Sequence, residues 1–128
     1  MVRNAAWRVV QALARKDAER AVSVLADLGV DQDAHPKDEA GEVWNPPRIQ
    51  RVMAEYFDEY DSIVLDADAR SPARAPLEKG TDRWLLRQTI SDPEEHQEWA
   101  LCFGIDLAAS RDQTRPIMDL VAIERPSS

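Results

Sequence analysis

Chemistry-bearing residue types are present in this 128-residue chain, but their spacing assembles no catalytic set. Acyl transfer of the Ser-His-Asp kind needs a nucleophile held against an imidazole, and no Gly-x-Ser-x-Gly elbow occurs. His96 follows Asp92-Pro93-Glu94-Glu95, a turn sequence that predicts a solvated imidazole, and His35 sits in a polar loop. Cys102 falls inside an alternating strand pattern and reads as a small core hydrophobe pointing inward or half inward. One Cys and two well-separated His residues cannot furnish a tetrahedral zinc site, and a lone Cys makes no internal disulfide. No catalytic residue, no metal and no cofactor are therefore expected.

Acidic pairs such as Asp66 with Asp68, and Asp58 with Glu59, could divide acid and base roles if burial pushed their pKa values apart. With 24 acids in 128 residues, however, close pairs arise by chance and read as solvated faces. Asp106 stands out. Its strand neighbours are apolar or small, and its predicted direction is opposite to that of Trp99, Leu101, Phe103, Ile105 and Leu107. An ion pair with Arg87 across a sheet is its expected role, with a solvated carboxylate or a ligand-binding one as the alternatives.

Two fragments imitate nucleotide-binding signatures. Asp38-Glu39-Ala40-Gly41 resembles the metal-binding acid motif of helicase motors, yet no hydrophobic strand precedes it. Lys79-Gly80-Thr81 lacks the Gly-x4-Gly-Lys-Ser/Thr order of a phosphate loop, so ATP hydrolysis by this chain is not expected. Trp7, Trp44, Trp84 and Trp99 suggest a stacking platform for single strands, but no basic groove accompanies them, and core or pocket-wall positions are the better reading.

Charge narrows the partners further. Sixteen basic against 24 acidic residues give a net charge of −8, the wrong sign for a protein that coats phosphate backbones. Arg8 and Arg15 share a helix side, with Arg3 nearby, but these few charges make direct nucleic-acid binding by this chain an unfavoured reading. The longest apolar stretches are well under the roughly 18–20 residues of a membrane span, and no apolar segment follows Met1-Val2-Arg3-Asn4. A cytoplasmic protein without membrane contact is expected.

The elements that must position these residues follow from periodicity. Val2, Ala6, Val9, Val10 and Leu13 recur at steps of three and four and predict a helix over 2–14, with Trp7 on its flank. Asp17 can cap a second helix through Ala18, Ala21, Val22, Leu25 and Leu28, which Gly29 stops. Residues 30–43 are polar, hold Pro36 and Gly41, and predict a long surface loop. Asn45-Pro46-Pro47 is a helix start, and Ile49, Val52, Met53, Tyr56, Phe57 and Tyr60 form an apolar stripe expected to pack on a sheet. Ser62-Ile63-Val64-Leu65 reads as a short strand, followed by a loop to Pro76. Period-two alternation then predicts strands over Trp84–Ile90 and Trp99–Leu107, and Ile117–Glu124, apolar on both faces except Asp119, is a third; turns at Asp92-Pro93-Glu94-Glu95 and at Ser110-Arg111-Asp112-Gln113 join them. The expected architecture is α+β: three N-terminal helices packed on a curved antiparallel β-sheet, one domain over residues 1–125, with 126–128 as a tail.

Several segments in fixed order resemble a known family: Val2-Arg3-Asn4-Ala5, Asp66 through Ala73, Trp84-Leu85-Leu86-Arg87-Gln88, Asp92-Pro93, Trp99, and Ile105-Asp106-Leu107-Ala108-Ala109-Ser110. Together they are similar to the C-terminal domain, of unknown function, of actinobacterial superfamily II DEAD/DEAH-box RNA helicases. The resemblance implies an accessory domain whose motor domains lie outside this chain and act as partners in cis. Element order is also similar to the cone of nuclear transport factor 2-like proteins, which serve as protein-interaction modules, small-molecule binders and a few isomerases or dehydratases. Two surfaces follow from these readings. A non-catalytic interaction domain would use the open sheet face, with Leu85, Met118, Leu120 and Ala122 as apolar contributors to a homodimer. A small-molecule binder or cone-type enzyme would instead hold its ligand near Tyr56, Tyr60, Trp84, Trp99, Asp106 and Arg87.

Overall fold

The computed structural model describes residues 2–30 and 35–126. It is an α+β structure with the elements α1 (Val2–Ala14), α2 (Ala18–Leu28), α3 (Pro46–Glu59), a 3-10 turn at Pro72–Arg74, β1 (Leu77–Lys79), β2 (Arg83–Ile90), β3 (Trp99–Asp106), α4 (Leu107–Gln113) and β4 (Met118–Glu124). The first three helices start and stop where the sequence signals place them. Asp17 accepts a hydrogen bond from the Arg20 amide, Asn45 accepts one from the Arg48 amide, and Pro46-Pro47 occupy the first turn of α3. Lys16, at φ 57°, makes the left-handed turn that lets α2 fold back on α1.

The strands form one antiparallel sheet in the order β1-β2-β3-β4, a meander in which each strand pairs with its chain neighbour. Leu86 of β2, Phe103 of β3 and Leu120 of β4 stand opposite one another, and Trp84, Ile105 and Met118 form the next such row. These side chains face the helices, which bury Val9, Val10, Val24, Leu25, Ile49, Met53 and Tyr56 against one another and against the sheet. Between Cys102 and Phe103 the pairing partner jumps from Ala122 to Leu120, leaving Val121 unpaired as a bulge. The extra residue returns Ile123 to the core face opposite Leu101, where strict alternation would have turned it outward.

Three expectations are corrected. Ser62–Leu65 is not a strand; Val64 makes a single backbone bond to Ser91, and the fourth strand is β1, too short at three residues to show alternation. Ser110–Gln113 belong to α4 rather than a turn, because Asp106 caps Leu107-Ala108-Ala109 into a helix and ends β3 before Leu107. The α3 stripe packs mainly on α2, meeting the sheet through Tyr56 against Trp99.

Part of the long polar loop is ordered by its own acids; its residues 31–34 lie outside the described residues. Asp38 accepts hydrogen bonds from the Ala40 and Glu42 amides and from Arg48 at 2.6 Å, and Gly41, at φ +87°, makes a turn that a side chain would strain. The Arg48 hydrogen bond, followed by that from the Glu42 amide, holds the Asp38 carboxyl below the usual carboxylate range. The fragment that imitates a motor motif is therefore a loop staple.

Candidate functional site

The six residues grouped by the sequence as a pocket lie in three places. Tyr56, Tyr60 and Trp99 meet at the C-terminal end of α3, with Tyr56 ring centroids 5.1 Å from Tyr60 and 5.6 Å from Trp99. Tyr56 donates to the Ser62 carbonyl, and the Tyr60 hydroxyl is 2.7 Å from His96 Nδ1. His96 is solvent-exposed as expected, but its ring is anchored by this contact. Both phenols are pushed up, first by burial and then by the charge of Asp92, Tyr60 to about 12. This is a packed aromatic cluster whose three rings are each buried.

Arg87 and Asp106 do not form the expected pair. The register sets Arg87 opposite Cys102 and Asp106 opposite Arg83. Arg87 binds Glu124 at 2.7 Å on the outer sheet face, and the Asp106 carboxylate accepts the Ala109 amide at 3.0 Å as the cap of α4. Predicting a strand through Leu107 concealed that cap. Cys102 also points to this outer face, half-buried, 3.7 Å from Glu124; burial first, then the Glu124 charge, pushes its thiol up and away from reactivity. Asp66 and Asp68 are likewise separately occupied, Asp66 by the Ala69 amide and Asp68 by Arg74 at 3.0 Å.

Of the proposed interface residues, Leu85 is 45% exposed and Ala122 is exposed, while Met118 and Leu120 are each 1% exposed and face the core. Asp119, the outward residue between them, was the signal for the direction of β4; the apolar Val121 and Ala122 that follow, displaced by the bulge, obscured the alternation. Arg83 lies across the Gly104 backbone on this face and pairs with Asp119 at 3.6 Å, so the outer sheet surface is a charged lattice around Leu85, Val121 and Ala122.

Trp84 occupies the third place, a cleft of about 590 Å³ at the edge where α1 begins. Its floor is Trp84 and Ile105 from β2 and β3, with Leu77 from β1, Val2 from α1 and Leu107 from α4 as apolar walls. Around these stand Arg3, Lys79, Arg111 and Arg115, with the hydroxyl residues Ser110 and Thr114. Lys79 Nζ lies 4.9 Å from the Trp84 ring centroid. Arg3 donates to the Ala75 carbonyl at 3.0 Å, and Arg115 donates to the Asp27 and Gly29 carbonyls at 2.7 and 2.8 Å. Sequence reasoning found Trp84 but missed the four cations as a group: Arg3 at the start of α1, Lys79 in β1, and Arg111 and Arg115 at and just past the C-terminal end of α4. The missed signal was α4, whose cap brings Arg111 and Arg115 toward the start of α1.

Among the described residues, no acid, imidazole or thiol lines this cleft. Among the described residues, no group of three or more His, Cys, Asp or Glu side chains is placed to hold a metal ion. No helix among them is long and apolar enough to cross a membrane.

A family model described as a domain of unknown function (DUF3516) matches residues 1–123. The chain belongs to this family. The match spans every element of the DUF3516 chain up to the penultimate residue of β4, so the cleft residues and the aromatic cluster all fall within it. No curated protein and no solved structure shows a significant match to the domain.

Proposed function

We propose that this DUF3516 domain is a non-catalytic protein-interaction module, accessory to a superfamily II helicase motor, and that it works through the cleft around Trp84. The observation that carries the reading is the composition of that cleft: apolar floor, guanidinium and ammonium groups, two hydroxyls, and no carboxylate, imidazole or thiol. The two hydroxyls donate to backbone carbonyls, Ser110 to Asp106 and Thr114 to Gln113, and Lys79 lies over the Trp84 ring, so no nucleophile in the cleft is held against a general base, whereas binding needs none. The helicase connection rests on the sequence resemblance, which spans roughly residues 2–124 and includes Trp84 on the cleft floor. A cone-like, nuclear transport factor 2-like form belongs to the same proposal, supported by the order of three helices followed by an antiparallel meander.

Calorimetric titration of the chain into the motor core of a helicase carrying such a domain, with that domain removed, tests the reading. Binding in the micromolar range together with an altered ATPase rate is the expected result. Absence of heat at tens of micromolar, with unchanged ATPase activity, overturns it.

A further inference from the structure

We infer that the cleft receives an acidic peptide segment, which sets an apolar side chain on Trp84 and its carboxylates against Arg3, Lys79, Arg111 and Arg115. The inference deepens the interaction-module reading and rests on it. Its basis is charge complementarity. The chain carries 24 acids against 16 bases, so a surface region of average composition is net negative, yet the cleft gathers four cations and no acid. Elsewhere Arg48, Arg74, Arg83, Arg87 and Arg125 are ion-paired to carboxylates, while Arg8, Arg15, Arg20 and Arg51 form no ion pair among the described residues, so what sets the cleft apart is the gathering of four cations in one place. Arg111 also borders a neighbouring hollow lined by Asp82, Asp106 and Asp119, which takes part of its field. None of the four cleft cations forms an ion pair among the described residues.

The way two of them are held strengthens the argument. Arg3 and Arg115 place their donors on backbone carbonyls, Ala75 in one case and Asp27 and Gly29 in the other. A carbonyl carries no net charge, so these side chains are fixed before a partner arrives and lose little conformational freedom on binding; Arg115, seated on the C-terminal carbonyls of α2, has part of its charge engaged by the helix end, whereas Arg3 on Ala75 has not. Lys79 is held over Trp84 by the ring face, which also leaves its charge available. A negatively charged domain thus keeps a cationic rim around an apolar floor. The cleft is open and shallow, which suits one anchoring side chain of a peptide with carboxylates on either side better than a small molecule that must be enclosed. Screening confines the attraction to the rim, since the Debye length is about 8 Å at physiological ionic strength.

The test is fluorescence anisotropy with a short labelled peptide alternating Glu with Leu and Phe, beside versions carrying Gln or Lys in place of Glu. Decanoate serves as a small amphiphilic competitor, and the Trp84 indole N–H resonance reports the location. The variant is Lys79→Glu/Arg111→Glu, two exposed side chains, checked for an unchanged unfolding temperature. The Glu peptide should bind, shift the Trp84 resonance and weaken with added salt; the Lys peptide should not bind. The double variant should lower affinity about tenfold, as expected for reversing two rim charges. Equal binding of all three peptides, unaltered binding to the double variant, or a Trp84 shift with decanoate but not with the Glu peptide would each overturn the inference. Helicase-core binding that survives the double variant removes the cleft from that interaction and leaves the accessory reading standing. Glu-peptide binding without core binding does the reverse.

Discussion

The indole Nε1 of Trp44 donates a 2.8 Å hydrogen bond to the carbonyl of Leu120, joining the loop before α3 to strand β4. The ring is buried, and the Arg48 guanidinium stacks on it at 3.8 Å while also holding Asp38. One side chain thereby couples the polar loop, the start of α3 and the last strand. Trp44→Phe keeps an aromatic ring but removes the donor, stranding a buried carbonyl at a cost of about 1–3 kcal/mol. Urea denaturation should show that loss. A change below about 0.5 kcal/mol would mean that water reaches the Leu120 carbonyl and that the staple is packing alone.

Asp92 organises the connection between β2 and β3. Its buried carboxylate accepts the Glu94, His96 and Gln97 amides at 3.0, 3.0 and 2.7 Å. The same turn holds two non-glycine residues in the left-handed region, Glu95 at φ 61° and Gln97 at φ 54°, conformations that need outside support. Asp92→Ala removes all three acceptor contacts and should cost about 2–4 kcal/mol. Amide hydrogen exchange should quicken selectively over residues 93–98. Uniform exchange across the sheet instead would locate the damage in the strands and not in the turn.

How much of this was readable in advance depends on the range of the forces involved. The caps at Asp17 and Asn45, the α3 stripe and the alternation of β2 and β3 are local, so short windows of sequence expose them. Two failures were also local but masked. The run from Trp99 to Leu107 hid the cap at Asp106, and β1 was too short to show a period. Strand register is not local: whether Arg87 or Arg83 lies opposite Asp106 depends on where β2 starts against β3, and a shift of a few residues changes every pair. The cleft was the least legible feature. Arg3, Lys79 and the pair Arg111 and Arg115 come from three distant stretches of the sequence, and only the fold brings them around Trp84.

Ser91 offers a test of the opposite sign. Its hydroxyl is buried at the end of β2 and has no hydrogen-bond partner among the described residues, although its backbone carbonyl accepts the Val64 amide. A buried polar group without a partner costs stability that a methyl group would not. Ser91→Ala should raise the unfolding free energy by about 1 kcal/mol. A decrease would show that the hydroxyl is hydrogen-bonded in solution.

The outer sheet face bears on self-association. Two of its four apolar contributors, Met118 and Leu120, are inside the core, and the remaining surface is crossed by the Arg87–Glu124 and Arg83–Asp119 pairs. Desolvating such pairs in an isologous interface opposes dimerisation unless new partners compensate. Light scattering from tens of micromolar downward should therefore give the chain mass, 14.5 kDa. A stable doubled mass would return the interface to the sheet face, where Leu85→Glu should dissociate it.

Tyr60 gives the domain an alkaline limit. Burial first, and then the carboxylates of Asp92, Glu59 and Glu98, raise its phenol from an ordinary value of 10.0 to about 12. Because the folded state holds the proton more tightly than the unfolded chain, the unfolded state binds fewer protons between those values, and stability falls as pH rises. The contribution is fully present below pH 10 and is lost progressively through about pH 12. Tyr60→Phe removes the titrating group while keeping the ring against Tyr56, and its stability should decline less steeply above pH 10 than that of the unaltered chain. Tyr56, raised even further by burial, remains in the variant and keeps some slope. Parallel pH profiles for the two proteins would show that His96 donates its Nδ1–H to the Tyr60 oxygen and stabilises the phenolate enough to cancel the penalty of burial.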